Sequence, residues 1–116
     1  MKAMPVKGAE QEIYEAVTHW EEIAHAPHGF GGTEYRVGRR EIGHVHGDSL
    51  VDVPFPLHVR DELVKSGEAE PHHILPKSGW VSVFLRNPDD VGRAIRLLRK
   101  SYEIALASQT RNAQPA

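Results

Sequence analysis

The sequence has no cysteine, which excludes a disulfide framework, a thiolate nucleophile and a cysteine-based zinc site. It has little net charge, −2 from 14 basic and 16 acidic residues, and therefore no global field to hold nucleic acid or an anionic membrane. Its apolar runs are short, so we expect neither a transmembrane helix nor a signal peptide. With 116 residues, 40% of them hydrophobic, the chain has room for one compact domain, and we expect it in the cytoplasm.

Hydrophobic periodicity predicts an α+β fold. Apolar residues at helical spacing predict an N-terminal helix, a short middle helix and a C-terminal helix, at 9–26, at 57–66 and from Pro88 onward. Alternating segments predict strands at 33–37, 40–46, 49–55 and 80–86. We therefore expect a single domain in which the three helices pack on a largely antiparallel sheet. The predicted domain spans 9–107, with a flexible lead-in at 1–8 and a disordered tail at 108–116.

Histidine is abundant, with eight among 116 residues. His44 and His46 are two residues apart in a predicted strand, so their side chains project from the same face about 6–7 Å apart. That spacing is a common way to present two imidazoles to one metal ion or one substrate. A third ligand or a base could come from His73, His72 or Asp52.

Strand parity leaves the positions of two carboxylates open. Glu41 falls on the face opposite to the two histidines, unless Gly43 lies in a β-bulge. Asp52 lies beside His44 if the hairpin loop between them has an odd number of residues, with Gly47 in a left-handed conformation. An even loop puts Asp52 on the other face. We favour the odd loop because it pairs polar residues with polar residues.

The candidate site residues fall into three sets. The candidate catalytic residues are His44, His46, His73, Asp52 and Glu41. The candidate metal ligands are His44, His46 and His73, and the candidate cofactor is a divalent transition metal. The candidate substrate pocket is lined by Trp80, Phe84 and Tyr102. The opposing interpretation is that the histidines lie on a solvent-facing strand and that the aromatic residues belong to the core. Spacing alone leaves both interpretations open.

Several segments of the sequence resemble the small bacterial luciferase-domain family. They are Arg-Glu-Ile-Gly-His-Val-His at 40–46, Leu-Val-Asp-Val-Pro-Phe-Pro at 50–56, Pro-His-His-Ile-Leu-Pro at 71–76, Gly-Trp-Val at 79–81 and Arg-Lys-Ser-Tyr-Glu at 99–103. That family takes its name from similarity to the luciferase of bioluminescent fungi, which oxygenates a hydroxylated styryl-pyrone. The resemblance implies functional roles for Glu41, His44, His46, His73 and Trp80. The region of Asp52 departs from the fungal pattern, so we do not expect the same substrate for this protein.

The first hypothesis is a luciferase-like domain that binds a small molecule, or acts as an oxygenase-like enzyme, through the His-x-His cluster. A fainter resemblance, to the double-wing fold of MmcQ/YjbR-type domains, supports an alternative. In that alternative the protein is a non-catalytic module that binds nucleic acid or protein through arginines of its first hairpin and last helix. Balanced charge makes nucleic acid the less favoured partner. We expect a small-molecule ligand and no membrane partner.

Overall fold

A computed structural model of the protein describes residues 5–113. Within this range the helices are α1 (Ala9–Val17), α2 (Leu57–Lys65) and α3 (Pro88–Ala113). The strands are β1 (Ile23–His28), β2 (Gly32–Val37), β3 (Arg40–His46), β4 (Leu50–Pro54), β5 (Glu70–Pro71) and β6 (Trp80–Phe84). The outer parts of the predicted lead-in and tail, residues 1–4 and 114–116, lie outside the described residues.

The strands of the described range form one antiparallel sheet in the order β1-β2-β3-β4-β6-β5. The predicted α+β fold, with N-terminal, middle and C-terminal helices on a largely antiparallel sheet, is confirmed. The meander of β2, β3 and β4 is close to its predicted bounds, because alternating residues and two glycine-containing turns both define it. The short strand β5 lies in a segment that lacks any alternation.

α3 packs across one face of the sheet and contacts α1 beside it. Five valines from β3, β4 and β6 point to this side and are at most 1% exposed: Val45, Val51, Val53, Val81 and Val83. Leu98 of α3 is fully buried with them. Burial of one such aliphatic side chain contributes about 1.5–3 kcal/mol. The residues between these valines point to the opposite face, which is therefore free to be polar.

α3 begins where the sequence predicts and ends later. Asn87 Oδ1 accepts a hydrogen bond from the backbone N of Asp90 at 3.3 Å, and Asp90 Oδ2 accepts one from the backbone N of Asn87 at 3.0 Å. This reciprocal cap satisfies N–H groups that a helix start leaves unpaired. The helix continues through residues 108–113, where we expected a tail, since neither glycine nor proline interrupts the chain between Arg93 and Ala113. Among the described residues, no helix is both long and apolar enough to cross a membrane.

The N-terminal helix is shorter than predicted. α1 ends at Val17, where the Thr18 hydroxyl donates to the backbone O of Tyr14 at 2.6 Å. Residues 23–28 form the edge strand β1 and pair with β2, although the prediction extended the helix to residue 26. The prediction was wrong because the few apolar residues there fit both periods, and the pairing with β2 decides between them. Pro27 is compatible with a strand at the edge of a sheet.

The described part of the lead-in is attached to the β3–β4 loop. The carboxylate of Asp48 accepts hydrogen bonds from the backbone N of Gly8 at 3.1 Å and of Glu10 at 2.9 Å. The backbone O of Asp48 accepts a third from Val6 N at 3.2 Å. Asp48 thus caps the start of α1 from a distant part of the chain.

Candidate functional site

The polar face of the sheet carries a histidine cluster around one buried carboxylate. Asp52 of β4 is 1% exposed, and its Oδ2 lies 3.1 Å from Nε2 of His44 and 3.1 Å from Nε2 of His46. The Nε2 atoms of His73 and His72 lie 3.3 Å and 3.5 Å from the same oxygen. Four imidazoles therefore converge on one atom. These five residues are referred to below as the Asp52 cluster.

The hairpin between β3 and β4 has the odd loop that the sequence favours. His44 pairs directly with Asp52, and His46 pairs with Leu50, so residues 47–49 form the connection. Gly47 has a φ of 56°, the left-handed conformation that this loop needs. The predicted register is confirmed, and it brings Asp52 to the same face as the two histidines of β3.

A β-bulge in β3 brings Glu41 to the histidine face as well. Tyr35 of β2 pairs with Gly43, whereas the next residue, Arg36, pairs with Glu41, so Ile42 is the extra residue. Simple alternation, which puts Glu41 on the opposite face, is wrong here. The exception that the sequence left open, a bulge at Gly43, is the arrangement that the structure has.

The bulge requires glycine at position 43. Gly43 has a φ of 156°, and a Cβ atom there would lie 2.5 Å from Leu98 Cδ2 and 3.0 Å from the backbone O of Asp52. No larger side chain fits unless its neighbours move. The position of Glu41 thus depends on close packing of β3 against α3 on one side and β4 on the other.

His44 lies between two carboxylates. Its Nδ1 is 2.6 Å from Glu41 Oε2, and its Nε2 faces Asp52. Burial lowers the pKa of His44, but the hydrogen bonds with Asp52 and Glu41 outweigh burial and raise the pKa to about 9. The ring of His28 stacks on that of His44, with ring centroids 4.0 Å apart. His28 has a carboxylate partner of its own, because its Nδ1 lies 3.1 Å from Glu34 Oε1.

Ser82 of β6 orients the carboxylate at the centre of the cluster. Its hydroxyl donates to Asp52 Oδ1 at 2.8 Å and accepts a hydrogen bond from the backbone N of His73 at 3.3 Å. Burial raises the pKa of Asp52, but hydrogen bonds from His44 and Ser82 outweigh it and hold the pKa well below its usual range. Oδ1 is thus engaged by Ser82, and Oδ2 is left to the histidines.

The backbone fixes His72 in one tautomer. Its Nδ1 accepts hydrogen bonds from the backbone N of Ile74 at 3.2 Å and of Leu75 at 3.0 Å. Nδ1 must therefore carry a lone pair, and the ring proton is assigned to Nε2, which faces Asp52. Burial lowers the pKa of His72 and that of His46, and the charge of His44 acts in the same direction on both.

A cavity of about 480 Å³ opens over the Asp52 cluster. One part of its wall is polar and consists of imidazoles, and the other part is apolar. The apolar part is formed by Gly29, Ile74, Leu75 and Trp80. The Trp80 ring centroid lies 5.1 Å from that of His44. Ile74 and Leu75 are 70% and 55% exposed, which is unusual for large apolar side chains in this molecule.

The structure brings most of the predicted site residues together. Those at the cavity or in contact with its lining are His44, His46, His73, Asp52, Glu41 and Trp80. Phe84 lies on the same face of β6, but its ring stands 4.9 Å from the guanidinium carbon of Arg86 and does not line the cavity. Tyr102 lies on the helix side, 3% exposed, and donates to the backbone O of Glu21 at 2.8 Å. The pocket roles predicted for Phe84 and Tyr102 therefore do not match their positions.

Sequence reasoning missed several residues of the site. They are His28, Glu34, Ser82, Ile74 and Leu75. His28 was predicted to lie just beyond the N-terminal helix, and the signal that could have found it is the alternation of 23–28 as a strand. The other four carry no sequence signal of their own, since their places depend on sheet pairing and on the loop after β5.

Three of the arginines behind the binding-module alternative are paired with acidic residues of their own elements. Arg36 contacts Glu34, Arg93 Nη2 lies 2.6 Å from Asp90 Oδ1, and Arg99 Nε lies 3.3 Å from Glu103 Oε2. The positive charge of each of these arginines is thus offset by a neighbouring carboxylate.

Fold and site together define a class of protein: a small α+β domain with a histidine-lined cavity on the open face of an antiparallel sheet. The family model of the luciferase domain matches residues 39–101, more than half of the 116-residue chain, and the protein belongs to this family. Comparisons with curated proteins and with solved structures find no match. The matched range includes the whole Asp52 cluster with Glu41, Trp80 and Ser82. The likeness to MmcQ/YjbR-type domains stays a prediction.

Proposed function

We propose that this luciferase-domain protein binds a small, conjugated, hydroxyl-bearing organic molecule over the Asp52 cluster and acts on it as an oxygenase-like enzyme. The observation that carries the proposal is the two-sided cavity of about 480 Å³, with imidazoles on one wall and apolar side chains on the other. Its size lies within the range of about 300–1,000 Å³ that is typical of small-molecule sites. We also propose a cytoplasmic location, consistent with a chain that has no cysteine.

The apolar wall suits a flat conjugated ligand. Trp80 presents an indole ring on which such a ligand can stack. Ile74 and Leu75 leave more than half of their surface in water, at 70% and 55% exposure. A ligand that covers them gains about 25 cal/mol for each Å² of apolar surface removed from water.

The polar wall suits a hydroxyl group at one end of that ligand. The Nδ1 of His28 faces the Glu34 carboxylate at 3.1 Å and therefore carries the proton. Its Nε2 is then a hydrogen-bond acceptor on a ring that lines the cavity. A ligand hydroxyl can donate to this nitrogen, whereas an analogue without the hydroxyl leaves it unpaired and loses affinity.

The reaction class follows from the family and from the electron-rich character of such a substrate. In the oxygenation that we propose, both atoms of dioxygen enter the product. The substrate itself then supplies the electrons, and no outside reductant is needed. The residues of the cavity bind the substrate, orient its hydroxyl towards the histidines and shield it from bulk water.

Two matched probes test the proposal by isothermal titration calorimetry. We expect 4-hydroxycinnamate to bind at least about tenfold more tightly than cinnamate, because only the former has the ring hydroxyl. Trp80→Ala should weaken binding of 4-hydroxycinnamate by about tenfold. The control is Trp20→Phe, since Trp20 packs against Tyr102 on the helix side. Equal affinity for the two probes, or no binding of either at millimolar concentration, would overturn the proposal. A dioxygen electrode then tests turnover of ligands that bind.

A further inference from the structure

We infer that the Asp52 cluster binds one divalent first-row transition metal ion. The ligands are the Nε2 atoms of three histidines together with Oδ2 of the central carboxylate, namely His44, His46, His73 and Asp52. The inference deepens the proposed function and rests on it in one respect: the ion borders the cavity that is proposed to hold the substrate.

The first argument is the acceptor capacity of Asp52. A single carboxylate oxygen offers two lone pairs, yet four imidazole Nε2 atoms lie within 3.5 Å of Oδ2. They cannot all donate a hydrogen to it. If the Nε2 of a ring carries a lone pair instead, two electron-rich atoms, this nitrogen and Asp52 Oδ2, face each other and repel. A cation between them removes this conflict, because each atom then donates its lone pair to the ion.

His72 is excluded as a ligand by its own hydrogen bonds. Its Nδ1 accepts from two backbone N–H groups, so its proton resides on Nε2 and that nitrogen has no lone pair to give. This nitrogen faces Asp52 Oδ2 at 3.5 Å. The contact with Glu41 places a proton on Nδ1 of His44, which leaves its Nε2 to bind an ion in exchange for a proton. Among the described residues, no contact makes the Nδ1 of His46 or of His73 an acceptor. These three imidazoles and one carboxylate form the ligand set.

The distances from Asp52 to the three histidines fit coordination of a shared ion. The Nε2 atoms of His44, His46 and His73 lie 3.1, 3.1 and 3.3 Å from Asp52 Oδ2. Two ligand atoms, each about 2.1 Å from one ion and about 95–105° apart as seen from it, are about 3.1–3.3 Å from each other.

The surrounding contacts are those that orient metal ligands. A ligating histidine commonly donates its other ring N–H to a carboxylate, and His44 Nδ1 lies 2.6 Å from Glu41 Oε2. A ligating carboxylate is commonly hydrogen-bonded in turn, and Asp52 Oδ1 accepts from Ser82 at 2.8 Å. The β-bulge at Gly43 thus contributes to the site, because it places the Glu41 carboxylate where it can orient His44.

The ion is accessible from the cavity. His46 and His73 have side chains that are 33% and 34% exposed, whereas Asp52 on the inner side is 1% exposed. An ion that takes five or six ligands would keep positions open towards the cavity, whereas a tetrahedral ion would be fully ligated by these four residues. Imidazole with carboxylate ligands suits iron, manganese, zinc, copper or nickel rather than calcium.

The test is metal binding to tag-free protein, by mass spectrometry of metal content and by Co²⁺ titration after chelator treatment. We expect about one ion per chain and a visible Co²⁺ absorption spectrum from the wild type. His46→Ala and Asp52→Asn should weaken Co²⁺ binding by at least about 100-fold. His58→Ala is the matched control, since His58 is an exposed histidine of α2. His72→Asn should retain the ion, because the Asn oxygen can accept the same backbone N–H groups.

The outcomes separate this inference from the proposed function. A wild type that binds Co²⁺ no more tightly than about 0.1 mM would overturn the metal site, and this measurement does not depend on any variant folding. So would equal losses in His46→Ala and His58→Ala, or loss of the ion in a folded His72→Asn. If chelator-treated protein still binds 4-hydroxycinnamate, the proposed function survives such a failure. If the ion binds and the probe does not, the proposed function fails alone.

Discussion

The two faces of the sheet differ in what surrounds equally buried side chains. On the helix face, Val45 and Val51 pair across β3 and β4 and are fully buried beneath α3. One residue away, His44 and Asp52 pair on the opposite face, where Asp52 is 1% exposed. The two pairs are therefore buried to nearly the same extent, but methyl groups surround the valines, whereas hydrogen-bonding groups surround His44 and Asp52. We expect truncations on the helix face to reduce stability and truncations on the histidine face to reduce binding.

The largest expected effect is on the helix face. Leu98→Ala removes a fully buried side chain from α3 and should lower the free energy of unfolding by about 2–5 kcal/mol, measured by urea denaturation. The folded fraction should bind Co²⁺ as the wild type does. Leu57→Ala is the control, since Leu57 is 60% exposed and its truncation should stay within about 0.5 kcal/mol. A similar loss in both variants would contradict the contrast between core and surface.

Gly43→Ala should affect both faces together. The added Cβ collides with Leu98 Cδ2 and with the backbone O of Asp52, so we expect a loss of about 2–3 kcal/mol of stability. Co²⁺ affinity should fall too, because the bulge positions Glu41. Combined with Leu98→Ala, the loss should be less than the sum, since the smaller side chain removes one collision. Additive losses would show that the two residues do not compete for space.

Ser82→Ala should lower both the free energy of unfolding and the affinity for Co²⁺. Loss of the hydrogen bond to Asp52 Oδ1 should cost about 1–2 kcal/mol of stability. It should also weaken Co²⁺ binding by about 10–100-fold, as removal of a group that orients a ligand commonly does. Ser66→Ala, which removes a hydrogen bond to Leu63 O outside the site, should leave Co²⁺ binding unchanged. Unchanged binding in Ser82→Ala would argue against an orienting role.

The smallest effect is expected from a pair of buried tyrosines. The Tyr35 hydroxyl has no hydrogen-bond partner among the described residues, and burial raises its pKa to about 12. Tyr35→Phe should therefore change stability by no more than about 0.5 kcal/mol, whereas Tyr102→Phe loses the bond to Glu21 O and should cost about 1 kcal/mol. Thermal unfolding compares the two variants, and 4-hydroxycinnamate binding should be unaffected in both. A larger loss in Tyr35→Phe would reverse this expectation.

Much of the fold could be predicted because most elements are defined by local signals. The strands of the meander follow residue alternation, and Asn87 with Pro88 marks the start of α3. The segment 23–28 could not be assigned in this way, because its few apolar residues fit both periods and only pairing with β2 favours the strand.

The site residues also differ in whether local sequence signals or long-range contacts determine their positions. Parity and the turn at Gly47 favoured a position for Asp52 beside His44 but left the even loop open, and the pairing of β3 with β4 decides for the odd loop. The position of Glu41 depends on a bulge that close packing between Gly43 and Leu98 accommodates, and that contact joins residues far apart in sequence. Ser82 reaches Asp52 only through the pairing of β6 with β4, and His28 lies in the strand that the sequence analysis did not identify.

The hairpin at the centre of the site also implies an order of assembly in time. Asp52 is 6 residues from His46 and 8 from His44, but 21 from His73. A hairpin closes in about 1–10 μs, and longer loops have a higher entropic cost of closure. As the chain folds, one half of the cluster can therefore form within a single hairpin, while the segment from His72 to Leu75 must wait for β5 and β6. We therefore expect His73, Ile74 and Leu75 to reach the cavity after the hairpin has formed.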